Sequence, residues 1–89
     1  MPRRKYRSQA GIIYDILKIL SSEGPLPPTR IATYANLPYD RLKVIINSLE
    51  EKGFIEKTED GYVITEEGYK ALRVLEESLV LLKTLGFRL

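Results

Sequence analysis

A chain of 89 residues can bury one small hydrophobic core but not two. Hydrophobic residues make up 44% of the sequence and charged residues 29%, which is typical of a folded domain rather than a disordered chain. Because the sequence has neither Cys nor His, disulfides, thiolate chemistry, transition-metal sites and histidine proton relays are not expected. No apolar run is long enough to cross a bilayer, so we expect a soluble, cytoplasmic protein. We also expect no cofactor.

The net charge of +2 conceals an uneven distribution along the chain. Residues 1–48 contain eight Lys and Arg against three acidic side chains, which gives +5. Residues 49–89 contain six Lys and Arg against nine acidic side chains, which gives −3. This asymmetry favours a polyanionic partner for the first half only, although chance clustering of solvated charges would give the same totals.

Residues 1–7 (MPRRKYR) have no apolar periodicity, and we interpret them as a flexible basic arm. Two interpretations of the arm stay open. Its cations can lie along DNA phosphates or enter a minor groove, or they can form a solubilising tail without fixed contacts. These cations are Arg3, Arg4, Lys5 and Arg7.

A first helix is predicted to begin after Ser8, a good N-cap, and to end at Gly24. Its apolar residues recur at helical spacing and form one wide face that must be buried. They are Ile12, Ile13, Ile16, Leu17, Ile19 and Leu20.

A connector with three prolines follows, and its extended backbone lets Leu26 point inward. Thr29 is expected to cap a second, short helix that ends at Ala35, because Asn36 tolerates the left-handed conformation that ends a helix.

A third helix is predicted from Pro38, whose fixed φ suits a first turn, to the residue before Gly53. Its inward stripe has apolar residues at i, i+3, i+4 and i+7, namely Leu42, Ile45, Ile46 and Leu49. Two short helices joined by a tight turn predict a helix-turn-helix.

After the third helix the periodicity changes to that of strands. Residues 54–57 and 62–65 are β-prone and flank residues 58–61, which carry an Asp-Gly hairpin signal. Thr65 is then expected to cap a long last helix that runs to about Thr84. The order of elements predicts a winged helix-turn-helix, mostly α with a small β-hairpin, followed by a long C-terminal helix.

Several short motifs resemble one family of small archaeal winged-helix DNA-binding proteins, which includes transcription regulators and chromatin-type proteins. The motifs are TRI at 29–31, ANL at 35–37, Tyr39, Leu42, EKGFI at 51–55 and YVITEEG at 62–68. The resemblance implies a recognition helix that meets DNA and a C-terminal helix that pairs with its twin in an antiparallel coiled coil. The sequence departs from the family pattern at Pro38, in place of a Ser cap, and in the acidic wing of residues 57–61.

The outer face of the third helix is the candidate base-reading surface. The N-terminal end of a recognition helix reaches base edges in the major groove. Arg and Lys can bond guanine, Asn can bond adenine, and Val can touch a thymine methyl group. The side chains within reach are Tyr39, Asp40, Arg41, Lys43, Val44 and Asn47. The alternative is an ordinary solvated face, on which Asp40 serves only as a first-turn acid.

In the second helix, Thr29 and Arg30 are expected at a backbone phosphate, with the helix amides as further donors. An exposed Arg30 in a local ion pair is the alternative. Tyr34 has two open roles, since it can stack on the sugar-phosphate rim or pack under the arm.

The last helix carries more apolar surface than one small domain can cover. Leu72, Leu75, Leu79 and Leu82 form one heptad-like seam, and Val74, Leu81 and Leu85 form a second stripe. The domain's own core is expected to take Tyr69 and Leu72, and whether it also takes Leu75 stays open. The apolar surface of the last helix that remains uncovered predicts a homodimer. The predicted dimer interface is Leu75, Leu79, Leu82, Leu85 and Phe87. A tail that folds back onto the first helix is the alternative.

These features predict three segments: a basic arm (1–7), a DNA-binding domain (8–65) and a dimerisation helix (66–89). The leading hypothesis is a homodimeric double-stranded DNA-binding protein of the nucleoid, either a transcription regulator or a nucleoid-associated protein. The second is a winged-helix protein-interaction module that never meets DNA. An enzyme is disfavoured because no nucleophile has a base, and no small-molecule substrate or membrane partner is expected.

Overall fold

The structure, a computed structural model, describes residues 8–86. The predicted basic arm and the predicted interface residue Phe87 lie outside this range. The elements are α1 (Gln9–Glu23), α2 (Pro28–Ala35), α3 (Tyr39–Glu51), β1 (Ile55–Thr58), β2 (Gly61–Ile64) and α4 (Glu66–Thr84). The predicted winged helix-turn-helix with a long C-terminal helix is confirmed. Between residues 8 and 86, no helix combines the length and the apolarity that a membrane span requires.

Most helix ends follow the local chemistry of their capping residues. The Ser8 hydroxyl accepts a 3.0 Å hydrogen bond from the Gly11 amide and caps α1. The Thr65 hydroxyl likewise accepts a 3.0 Å hydrogen bond from the Gly68 amide and caps α4. Asn36 ends α2 in the left-handed conformation, with φ of 58°. These three predictions are confirmed.

The predicted Thr29 cap is wrong. The cap position lies two residues earlier, at Pro27, and the second helix begins at Pro28. The Pro27 carbonyl accepts the Arg30 and Ile31 amides at 3.0 and 3.1 Å. Proline is tolerated here because the first amides of a helix have no intrahelical acceptor. The two prolines lack N–H groups, so this helix start has fewer amide donors for a phosphate than the sequence interpretation assumed.

The loop of the hairpin is two residues shorter than predicted. Thr58 pairs with Gly61, so both belong to strands and only Glu59 and Asp60 form the loop. A side chain at Gly61 would overlap the backbone of Leu26. The tip of the wing is therefore held close to the connector between α1 and α2.

Leu26 adds a third strand-like segment to the hairpin. Its amide and carbonyl exchange hydrogen bonds of 3.1 and 2.8 Å with Tyr62. The core beneath this small sheet draws on every helix and both strands, and its fully buried large side chains are Ile12, Ile16, Leu17, Leu20, Ile31, Leu42, Ile46 and Ile55. Tyr69 does not join this core, contrary to expectation, because its side of α4 faces solvent and the residue is 45% exposed.

Gly68 fixes how closely α4 approaches the hairpin. A side chain there would overlap the Phe54 carbonyl oxygen and the Ile64 side chain. We expect Gly68→Ala to lower the free energy of unfolding by about 1–3 kcal/mol, because the strain exceeds the gain in helix propensity. Urea unfolding measures the change. The control Lys70→Ala, on the exposed side of α4, should stay within about 0.5 kcal/mol of the parent.

Candidate nucleic-acid interface

The second and third helices each have an exposed side, and the turn at residues 36–38 joins them. The buried stripe of α3 fixes which of its side chains point outward. Because Leu42, Ile45, Ile46 and Leu49 face the core, the remaining positions of the helix are exposed, apart from the half-buried Ser48. The described members of the predicted DNA-binding set are all exposed: Thr29, Arg30, Tyr39, Arg41, Lys43, Val44 and Asn47.

Arg30 is held against an aromatic ring on α2. Its Cζ lies 5.7 Å from the centroid of the Tyr34 ring. One of its terminal nitrogens also donates a 3.3 Å hydrogen bond to the Tyr34 hydroxyl. An exposed cation–π contact is worth about 0.5–1 kcal/mol. The guanidinium is therefore restricted in position while it stays accessible to an anion, and Tyr34 acquires a role that its sequence left open.

Lys43 makes a similar contact on α3. Its Nζ lies 5.9 Å from the centroid of the Tyr39 ring, one turn earlier on the helix. Both tyrosines are exposed. The two cation–ring pairs thus lie on the two helices that meet at the turn, and each restricts the position of a positive charge on the exposed surface.

The hairpin is joined to the C-terminal end of α3 by a polar contact. The Tyr62 hydroxyl donates a 3.4 Å hydrogen bond to the Glu50 carboxylate. Burial raises the pKa of Tyr62 above its ordinary value, and the neighbouring Glu50 carboxylate raises this pKa further. The raised pKa widens the pH range over which the phenol, already protonated at neutral pH, remains a hydrogen-bond donor. This contact fixes the wing relative to α3.

The fourth helix turns one apolar seam inward and leaves the other exposed. Leu72 is buried and Leu75 packs against the same core. The second stripe faces solvent, with exposed fractions of 60%, 57% and 62% for Val74, Leu81 and Leu85. Leu79 and Leu82, from the first seam, are half-buried.

The inward side of α4 is also joined to α1 by an ion pair, in which the Lys18 Nζ on α1 lies 3.2 Å from a Glu76 carboxylate oxygen on α4.

The sequence matches the family described as winged helix-turn-helix over residues 6–83, which is most of the chain. The chain belongs to the winged helix-turn-helix family. The match reaches from the end of the basic arm into the last turn of α4.

Relatives within this fold include archaeal proteins. The chain is 39% identical over 75 residues to the uncharacterized protein MJ0287 of Methanocaldococcus jannaschii, covering 84% of this chain and 76% of the relative. The solved structure of Sso10a-2, a DNA-binding protein from Sulfolobus solfataricus, superposes with a TM-score of 0.75 at 26% identity, covering 89% of this chain and 85% of that one. The expected resemblance to archaeal winged-helix proteins is confirmed.

A further solved structure, the transcriptional repressor CouR bound to p-coumaroyl-CoA, gives a TM-score of 0.73 at 19% identity. The superposition covers 92% of this chain and 64% of the CouR chain. At that identity the likeness is one of fold alone. The match to the winged helix-turn-helix family points to a non-enzymatic protein.

Two features of this winged helix-turn-helix domain were missed by sequence reasoning. The first is the pair of cation–ring contacts, for which the signal was present as Arg30–Tyr34 and Tyr39–Lys43 at i, i+4 spacing. The second is the Tyr62–Glu50 hydrogen bond, which joins residues twelve positions apart on two different elements. No local pattern indicates a contact of that kind.

Proposed function

We propose that this protein is a homodimeric double-stranded DNA-binding protein, a transcription regulator or a nucleoid-associated protein, that inserts α3 into the major groove. The observation that carries the proposal is the exposure of Arg30, Arg41 and Lys43 on the two helices of a helix-turn-helix. The likeness to Sso10a-2, described as a DNA-binding protein, supports it. Such a role places the protein at the nucleoid in the cytoplasm.

Within this proposal the exposed side chains divide into two classes. Arg41, Lys43 and Val44 near the start of α3, with Asn47 almost one turn after Val44, meet base edges, since the N-terminal part of a recognition helix enters the groove. Tyr39 belongs with this base-edge class, whereas Thr29 and Arg30 meet the phosphate backbone and fix the register of the domain. The basic arm adds phosphate or minor-groove contacts through Arg3, Arg4, Lys5 and Arg7.

The homodimer is proposed on the apolar surface of α4. An exposed stripe of Val74, Leu81 and Leu85 on a small domain is typical of an interface, and self-pairing about a two-fold axis covers it in both copies. Leu79, Leu82 and, beyond the described residues, Phe87 extend the predicted interface. Leu75 already packs against its own core and has less surface to offer a partner.

In this arrangement residues 8–65 carry the DNA-contacting surface and residues 66–89 carry the dimer contact. The two parts share one core through Leu72, so the position of the dimer axis is rigidly coupled to the position of α3. Two recognition helices about such an axis meet two half-sites of the duplex.

The electrostatic part of the proposal predicts strong salt dependence. Binding to a fluorescent duplex should weaken steeply between low and physiological salt, with a slope that corresponds to several phosphates, because each cation releases condensed counterions. Fluorescence anisotropy across a salt titration measures the slope. Salt-insensitive binding, or no binding at low salt, would instead favour a protein-interaction module of the same fold.

A further inference from the structure

The surface around α3 is electrically divided along the helix. Its C-terminal end and the wing expose five carboxylates against two lysines, Lys52 and Lys57, which leaves a net charge of −3. We name these carboxylates the acidic sector: Glu50, Glu51, Glu56, Glu59 and Asp60. Around the N-terminal end, Arg30, Arg41 and Lys43 outnumber Asp40 and leave +2. The thirteen residues of α3 span about 20 Å, so the sign of the charge reverses within one helix length.

The acidic sector is held in a fixed position beside the helix. Its tip residues are confined because the Thr58 hydroxyl donates a 2.7 Å hydrogen bond to the Gly61 carbonyl and accepts a 3.2 Å bond from the Asp60 amide. Close to the tip, Tyr62 on β2 is joined to Glu50 at the end of α3 by a 3.4 Å hydrogen bond. These contacts favour one position of the wing beside the C-terminal end of α3.

Such a charge acts on a duplex at short range. Exposed charges interact strongly within a Debye length, about 8 Å at physiological ionic strength. A duplex that lay along the whole of α3 would bring its phosphates within this distance of the acidic sector. A duplex that met only the N-terminal end of α3 would face the cations and leave the carboxylates in solvent.

We propose that the acidic sector repels the DNA backbone and restricts the duplex to the N-terminal end of α3, so that the wing is a repulsive element rather than a phosphate contact. This inference rests on the proposed DNA binding. The sector lowers affinity for every duplex and thereby weakens non-specific binding, while base contacts at the start of α3 are unaffected.

The test neutralises the tip of the wing without changing its shape, in the double variant Glu59→Gln with Asp60→Asn. We expect the variant to bind a duplex about threefold or more tightly than the parent at low ionic strength, and this difference to shrink as salt screens the repulsion. The parent and the variant are titrated with the same duplex by fluorescence anisotropy at several salt concentrations. Thermal unfolding verifies that the variant keeps its fold.

The matched control is Glu66→Gln with Glu67→Gln, which makes the same change in net charge at the start of α4, outside the acidic sector. An unchanged or weaker affinity of the wing variant overturns the inference, and so does an equal gain in the control, which would show an effect of net charge alone. If the parent protein binds no duplex, the proposed function itself is wrong. If the parent binds and the wing variant shows no gain in affinity, only this inference is wrong.

Discussion

Replacing Arg41 and Lys43 together with alanine is expected to lower the affinity for duplex DNA at least tenfold, which is about 1.4 kcal/mol. Both side chains are exposed on the first turns of α3, and Lys43 is held over the Tyr39 ring. Neither belongs to the core, so the loss should come from missing contacts to base edges and phosphates rather than from unfolding. Fluorescence anisotropy at a fixed salt concentration measures the change.

The matched control for this experiment is Lys70→Ala with Arg73→Ala. It removes one Lys and one Arg from the exposed side of α4 and leaves the helix-turn-helix unchanged. The control should retain most of the affinity. Equal losses of affinity in both variants would show that net charge alone causes the effect. Unchanged binding by the α3 variant would mean that the DNA-contacting surface lies elsewhere on the protein.

Leu81→Asp with Leu85→Asp is expected to convert a dimer into a monomer. Both leucines are exposed in the single chain, so the substitutions should disturb self-association far more than folding. In a two-fold interface each substituted position occurs twice, once in each copy. The new carboxylates therefore enter the apolar contact from both sides, where they are desolvated and unpaired. Sedimentation equilibrium measures the change in mass.

Loss of the dimer should also weaken DNA binding. Two linked domains bind two half-sites with an effective concentration that a monomer lacks, and the expected loss is about a hundredfold for a duplex with two half-sites. Gln9→Asp with Ala10→Asp is the control, because it adds the same charge at the exposed start of α1, where a helix tolerates acidic residues. A parent protein that stays monomeric at high concentration contradicts the dimer.

Most of the fold could be read from local sequence signals. Ser8, Asn36 and Thr65 end or start helices through chemistry that involves only their near neighbours, and the structure confirms each of them. The inward stripe of α3 follows from helical periodicity, which also determines that Arg41 and Lys43 are exposed. The start of α2 was misjudged because two prolines and a threonine compete for the same cap position.

The amino-acid sequence alone therefore determined the order of the elements, most of the helix ends and the exposed side of α3, since all of these depend on residues a few positions apart. Only the tertiary structure decided which apolar stripe of α4 is buried, because periodicity groups residues on a face but does not indicate what that face will pack against. The exposure of Tyr69 and the Tyr62–Glu50 contact could not be predicted from the sequence for the same reason. Each depends on how closely separate elements approach one another, and that distance is set by packing of the whole core.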